Sequence, residues 1–493
     1  MMENRSFDQM LGFLSKNGRL AGVNGLRGSE VNYDANGQPH QVFEWGADET
    51  SFHPPQDTSG KVLDPCHGPG CVHDQLAEVH GEKPGGFVTN FVATRKDKHG
   101  QHVQIPPEYW RLPMGYYSEV HLPAYDLLAR EYCVCDSWHA SIPGDTWPNR
   151  LYALSGREAP PVLSKPGFLH NLVEALKIVP SLGKLGSAPV FEVDAFTREL
   201  DLSQWRWYSH DPATLRGADK LYRDFRQLNR DNFAYFDRKR ISPLTKAAEA
   251  GIVELHDGFL DDAAKNQLRQ VSWIDPNFID LSILDPNSND DHPPSDVHAG
   301  QALVLETYEA LVKSRDWPDT LLIVVYDEHG GFFDHIDPPP VRAGDPGAYR
   351  TLGVRVPALV IGPRVRKHVS HETFEHTSLI ATILRCIRND ADQAIARMPW
   401  RVGQAPHLGS LLEAEPRPEA LDRRRLQAAI DRARAVLDEA RVTARAARRA
   451  QPGQPSDDTD GGAGQPQELH DWQEKFLHFA LSMRDQGLPP GQP

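Results

Sequence analysis

The stretch from Thr320 to His335 constrains this chain more than any other. Thr320 to Val325 is a continuous apolar run of strand length, rich in β-branched residues, as expected of a strand buried on both faces. It ends in Tyr326, two adjacent carboxylates at Asp327 and Glu328, His329, and the pair Gly330 and Gly331. In open α/β sheets, ligand chemistry collects beyond the carboxyl ends of parallel strands. Asp327 and Glu328 therefore stand where a metal or a reacting group would be held. A polar strand end closed by a Gly-Gly turn is the plainer alternative, and this stretch alone leaves both open.

The remaining segments set the frame for that strand. At 493 residues the chain exceeds the usual single-domain size, so one large elaborated domain or a core with appendages is expected. Pro 40 and Gly 38 point to long loop insertions. A formal net charge of -15 argues against a nucleic-acid binder, which needs a basic face. It does not oppose a phosphate-ester substrate, because a bound metal dominates the field in its own site. The five cysteines have no four-ligand zinc spacing, and Cys66 and Cys71 are close enough to pair in a loop. No stretch approaches ~18 uninterrupted apolar residues, so no transmembrane segment is expected. No secretory signal is visible, which reads as cytoplasmic for the sequence as written.

Several segments carry candidate chemistry. Glu3 to Phe7 reads locally as a frayed terminus, with only two methionines before it. Asp64 to His73 places Cys66, His67, Cys71 and His73 within ten residues, as a small metal site or as solvated loop histidines. Leu122 to Tyr132 has helical spacing, and Cys133 to Trp138 is strand-like. Thr146 precedes a helix opened by Pro148, where a hydroxyl is either a cap or a nucleophile facing bound anions. Strand-like and helical segments alternate from about 160 to 265, before a further strand at Val271 to Asp275, which argues for a parallel sheet covered on both faces. Residues 285–298 form an acidic, proline-stiffened loop with His292 and His298, followed by an amphipathic helix from Ala299 to Ser314. That loop should face the same side of the sheet as Asp327 and Glu328. Gly353 to Pro363 reads as another buried strand, and His376 lies at a helix start. Domain limits are placed at 1–415 for the main body, 416–450 for an Arg/Ala-rich solvated helix, 451–467 for a flexible linker and 468–493 for a docking helix and tail.

Together these segments carry a resemblance. Glu-Asn-Arg-Ser-Phe-Asp at 3–8, Asp-Pro-x-His at 64–67, Thr-x-Pro-Asn-Arg at 146–150 and Asp-His-Pro-Pro at 291–294 come first. Tyr-Asp-Glu-His-Gly-Gly-Phe-Phe-Asp-His at 326–335, Gly-Val-Arg-Val-Pro at 353–357 and His-Thr-Ser at 376–378 complete the order. Over residues 1 to about 390 the chain resembles the bacterial phosphoesterase family of phospholipases C and acid phosphatases. The resemblance implies an alkaline-phosphatase-like α/β fold, a mostly parallel central sheet flanked by helices, with long insertions and a helical C-terminal extension.

It also implies one divalent metal ion held by Glu3, Asn4, Thr146, Asp327 and Glu328, with Thr146 as the nucleophile. Such chemistry needs this set, because a hydroxyl is a poor nucleophile until a metal lowers its pKa. His67 and His292 are the first candidates for phosphoryl contact and the leaving-group acid, with His376 behind them. Asn149 is placed as a donor to a phosphoryl oxygen. His73, His329 and His335 are as readily structural.

The implied activity is a phospholipase C working through a phosphothreonine on phosphodiesters, including phospholipid at a membrane surface. The alternatives are an acid phosphatase acting on phosphomonoesters and an inactive, metal-poor scaffold protein. A sulfatase is disfavoured, since Thr146 is neither Cys nor Ser in a formylglycine context. Family members carry a hydrophobic strand, and often an export signal, ahead of Glu-Asn-Arg-Ser-Phe-Asp. Here Met1 falls where that strand would finish, so secretion or a periplasmic location is expected if the true start lies upstream.

Overall fold

Strand pairing determines which segments can meet at Asp327. The computed structural model describes residues 1–46, 65–94, 104–163, 189–209, 213–222, 230–237, 257–278, 288–293 and 297–450. The elements used below are, in chain order, helices α1 (Phe7–Leu11), α2 (Pro69–Gln75) and α3 (Pro123–Glu131), strand β1 (Cys133–Cys135) and helix α4 (Thr146–Ser155). Then come strands β2 (Trp205–Tyr208), β3 (Phe233–Ala234) and β4 (Val271–Ile274), and helix α5 (Val297–Lys313). Strands β5 (Leu322–Val325), β6 (Ala358–Ile361) and β7 (Val369–Ser370) precede helices α6 (Thr377–Ile387) and α7 (Arg423–Ala450).

The central sheet has the order β5-β6-β1-β7. β5, β1 and β7 share one direction, while β6 is antiparallel to both of its neighbours. The 353–363 strand therefore enters as a return strand. No helix forms among residues 326–357, and an antiparallel neighbour, unlike a parallel one, needs no helical crossover. A second sheet of order β4-β2-β3 is wholly parallel, as the alternation in this region leads one to expect. The class is α/β, with helices packed around these sheets.

The first residues differ from a frayed end. Met2 bridges Tyr326 in parallel, its N–H bonding the Val325 carbonyl at 2.9 Å and its carbonyl accepting from Asp327 N at 3.1 Å. Met2 through Met10 are buried. One residue of pairing is enough to set Glu3 and Asn4 beside Asp327.

Each residue of that motif has a local physical reason. Arg5 donates to the Asp291 carbonyl at 2.8 Å. Ser6 caps α1 by accepting from Gln9 N, and its hydroxyl donates to the Phe333 carbonyl at 2.7 Å. Phe7 lies under the Arg355 guanidinium, 4.5 Å from its ring centroid, and Asp8 accepts from the same guanidinium at 3.1 Å.

Helix α4 sits between the sheets. Its Leu151 and Leu154 join the apolar cluster of Trp207, Phe196 and Ile380, and Pro148 occupies its first turn. Gly156 ends it with φ 77°, its N–H bonding the Tyr152 carbonyl. The expected solvated helix near the C-terminus is corrected. α7 buries Leu426, Ile430, Ala433 and Leu437, one stripe at helical spacing, the first three of them in the main core. Ion pairs such as Arg425 with Glu131 at 2.7 Å flank it. Periodicity in an Arg-rich helix is easily masked by its charges. The linker at 451–467 and the docking helix and tail expected at 468–493 lie outside the described residues, as does Asp64.

Candidate active site

The site assembles where β5 ends. Thr146, the first residue of α4, is buried, and its Oγ1 donates within reach of Glu3 Oε2 (3.1 Å) and Asn4 Oδ1 (3.3 Å). Asn4 adopts a left-handed φ of 54°, which Asn tolerates better than most side chains. Its N–H donates to Asp327 Oδ1 at 3.1 Å, and its amide nitrogen donates to His67 Nε2 at 3.3 Å. His67 in turn donates from Nδ1 to the Pro65 carbonyl at 2.9 Å, which fixes its tautomer with the lone pair on Nε2. The His67 and His292 rings lie edge to face with centroids 6.2 Å apart.

The His292 loop is held over the same place. Glu3 N donates to the Asp290 carbonyl, and Tyr326 Oη donates to Asp291 Oδ2 at 2.5 Å. Loop and strand end therefore face one side of the sheet, as expected.

The glycine pair after Glu328 is a packing requirement rather than a loose turn. A Cβ on Gly330 would stand 2.1 Å from the Asn4 carbonyl oxygen, and one on Gly331 2.6 Å from the Cys66 carbonyl oxygen. Both have positive φ, 64° and 74°. These two positions let the N-terminal segment and the His67 loop close on the end of β5.

Charge is concentrated here. Glu3, Asp327 and Glu328 are buried, and the guanidinium beside them belongs to Arg150, which bonds Glu3 Oε1 at 2.8 Å and lies 3.3 Å from Asp327 Oδ2. Burial pushes the Glu3 carboxyl well above its usual range, with Arg150 opposing the rise and Asp327 adding to it. Burial pushes Glu328 up to about 8, and the neighbouring Asp327 carboxylate adds to the rise. Asp327 Oδ2 and Glu328 Oε1 accept no hydrogen bond among the described residues.

Three expectations are corrected. Asn149 is not aimed at the site. Its amide nitrogen donates to the carbonyls of Ile142, Gly144 and Asp145, its oxygen accepts from Ile142 N, and it shapes the loop that delivers Thr146. His376 lies behind the strand end. Nε2 donates to the Asp327 carbonyl at 2.6 Å and Nδ1 accepts from Trp138 Nε1 at 3.4 Å, so both ring nitrogens are committed. The Cys66 to His73 segment is not a thiolate metal site, because Cys66 and Cys71 form a disulfide.

His329 bonds Gln75 Oε1 at 2.8 Å, and burial holds its pKa down near 3, which marks it as structural. His335 joins Asp8 and Asp334, the one trio of acid or histidine side chains among the described residues whose ligand atoms lie within 4.8 Å of one another. Arg355 already bonds both carboxylates there, at 3.1 and 2.9 Å. Sequence reasoning overlooked Arg150, although Thr146 and Arg150 are four apart and so share a helix face.

A buried hydroxyl at a helix start, facing carboxylates at strand ends, is an arrangement suited to metal-assisted ester hydrolysis. The chain belongs to the phosphoesterase family, whose profile matches residues 1–387, and it is a phosphoric ester hydrolase. It is similar to the non-specific phospholipase C6 of Arabidopsis thaliana, 30% identical over 422 residues that cover 81% of this chain and 69% of that one. It is also similar to phospholipase C B of Mycobacterium tuberculosis, 30% identical over 428 residues, covering 78% and 71%. Among solved structures, an alkaline phosphatase superfamily protein from Vibrio parahaemolyticus overlaps 54% of this chain and 60% of that one, at 13% identity and a TM-score of 0.29.

Proposed function

We propose that this protein is a phospholipase C that cleaves phospholipid head groups through a phosphothreonine on Thr146. The observation that carries the proposal is the placement of Thr146 Oγ1 between Glu3 and Asn4 at the start of α4. The names of the relatives support the substrate class.

A divalent cation suits the donor set. Glu3, Asp327 and Glu328 are buried, only the first two pair with Arg150, two carboxylate oxygens accept no hydrogen bond among the described residues, and Glu328 rises to about 8 where a cation would lower it. Glu3, Asn4, Thr146, Asp327 and Glu328 would hold the ion. Bound there, it supplies Lewis acidity toward the hydroxyl and the phosphoryl oxygens.

The chain's own residues then act in sequence. Glu3 and Asn4 orient Thr146 Oγ1 for in-line attack on phosphorus, and Glu3 Oε2, to which the hydroxyl donates at 3.1 Å, takes its proton. The P–O bond to the diacylglycerol oxygen breaks, and that oxygen takes a proton from a histidine. His292, whose Nδ1 is fixed on the Pro293 carbonyl at 2.7 Å and whose ring meets that of His67 edge to face, is the acid this reading assigns. His67 lines the same space. Water next attacks phosphorus and gives its proton to the histidine, the Thr146 O–P bond breaks as the threonine oxygen regains the proton held by Glu3, and the phosphorylated head group leaves.

Metal analysis combined with hydrolysis of p-nitrophenylphosphorylcholine and p-nitrophenyl phosphate tests the proposal. Stoichiometric metal and preference for the choline ester are expected, and Thr146→Ala should abolish turnover. Near-wild-type activity in Thr146→Ala refutes the nucleophile. Preference for the monoester favours an acid phosphatase, and absence of both metal and turnover favours a scaffold role.

A further inference from the structure

Arg150 has more constraints on it than a lone counter-charge needs. It is buried, four residues after Thr146 on α4, and touches three separate chain segments. Its Nε donates to Glu3 Oε1 at 2.8 Å and lies 3.3 Å from Asp327 Oδ2, while Nη2 bonds Glu3 Oε1 and donates to the Met1 carbonyl at 3.3 Å. Nη1 lies 4.0 Å from Asp275 Oδ1, at the end of β4.

Asp275 is itself immobilised. It accepts from Trp207 Nε1 at 2.6 Å, from Thr214 N at 2.8 Å and from Trp273 Nε1 at 3.1 Å. The guanidinium also lies over the Phe278 ring, 4.9 Å from its centroid. Arg150 is thus anchored in the second sheet and grips the end of the first. Its fork occupies Glu3 Oε1, which leaves Oε2 as the oxygen that meets Thr146.

We infer that Arg150 is a positioning residue that couples the β2–β4 sheet to the reaction. It fixes which Glu3 oxygen faces Thr146 and ties Glu3 and Asp327 to one guanidinium, which limits how far either carboxylate can turn. This rests on the metal-assisted reading above. Two effects compete when Arg150 is removed. Loss of a nearby positive charge raises the Coulomb attraction for a cation, whereas loss of the fork lets both carboxylates rotate out of register. Partners that orient metal ligands typically contribute 10–100-fold in affinity, and a rigid fork between two carboxylates is expected to outweigh the charge effect.

The test is isothermal titration of the full chain, stripped with a chelator, with Mn2+, Mg2+, Ca2+ and Zn2+, beside kinetics on p-nitrophenylphosphorylcholine. Wild type should bind at least one ion, and Arg150→Gln should bind it 10–100-fold more weakly. Arg150→Lys, which keeps the charge and loses the fork, should fall between them, with kcat reduced more than KM is raised. Equal or tighter binding by Arg150→Gln overturns the inference and leaves the metal reading standing. No binding by wild type overturns the metal reading, and the inference with it. If circular dichroism shows Arg150→Gln unfolded, Arg150→Lys decides: wild-type affinity and kcat in that folded variant overturn the inference.

Discussion

Gly330→Ala is the most informative single perturbation, because its cost can be built from separate parts. The residue has φ 64°, where a side chain costs about 1–2 kcal/mol. Its new Cβ would meet the Asn4 carbonyl oxygen at 2.1 Å and the carbonyl carbon at 2.7 Å, both of them backbone that cannot swing aside. Forcing such an overlap adds about 1–3 kcal/mol. The expected total is about 2–5 kcal/mol, a large fraction of the ~5–15 kcal/mol that holds a domain together.

Gly18 provides the control, with φ 67° and nothing within 4 Å of its hypothetical Cβ. Gly18→Ala should show only the backbone part. Urea unfolding gives both stabilities. The excess cost of Gly330→Ala measures its contact with Asn4, and hydrolysis of p-nitrophenylphosphorylcholine should fall with it because Asn4 orients Thr146. If Gly330→Ala is no more destabilising than Gly18→Ala and turns over normally, then close approach to Asn4 does not hold the site together.

Two further outcomes follow from the hydrogen bonds and charges. His292→Gln should lower kcat by about 10²–10⁴-fold and remove the alkaline limb of the pH–rate profile, whereas His376→Gln should lower kcat without moving that limb, because its ring is committed to Asp327 and Trp138. Glu309 on α5 is partly buried, which raises its pKa, but hydrogen bonds from Arg434, Lys313 and Gln427 hold it near 2, below its ordinary 4.5. A depressed carboxylate contributes stability above its unfolded pKa and loses it as pH falls through the folded value. The α5–α7 contact should therefore loosen as pH falls from about 4.5 to 2, seen as faster amide exchange in α7. Glu309→Gln should remove that dependence, and an unchanged acid response in the variant would refute the assignment.

Much of this was legible in the residue order. The apolar run before Asp327, Pro148 in the first turn of α4 and the glycines after Glu328 are local signals with local causes. Resemblance joined distant motifs that spacing alone could not. Less legible was orientation. Asn149 and His376 have side chains able to donate to phosphate, yet backbone groups of Ile142, Gly144, Asp145 and Asp327 claim them. Which partner an amide or imidazole takes depends on chain segments far away in sequence.

The sequence by itself determined the α/β class and the strand that ends in Asp327 and Glu328. It also determined the hydroxyl at a helix start, because hydrophobic period, proline and glycine act over a few residues. Only the tertiary structure decided that Met2 completes the sheet edge beside Tyr326, that β6 returns antiparallel, and that Cys66 pairs with Cys71. It alone put Arg150 between Glu3 and Asp327. Those outcomes depend on contacts between residues as many as 324 positions apart, and on buried charges that must find partners once water is excluded.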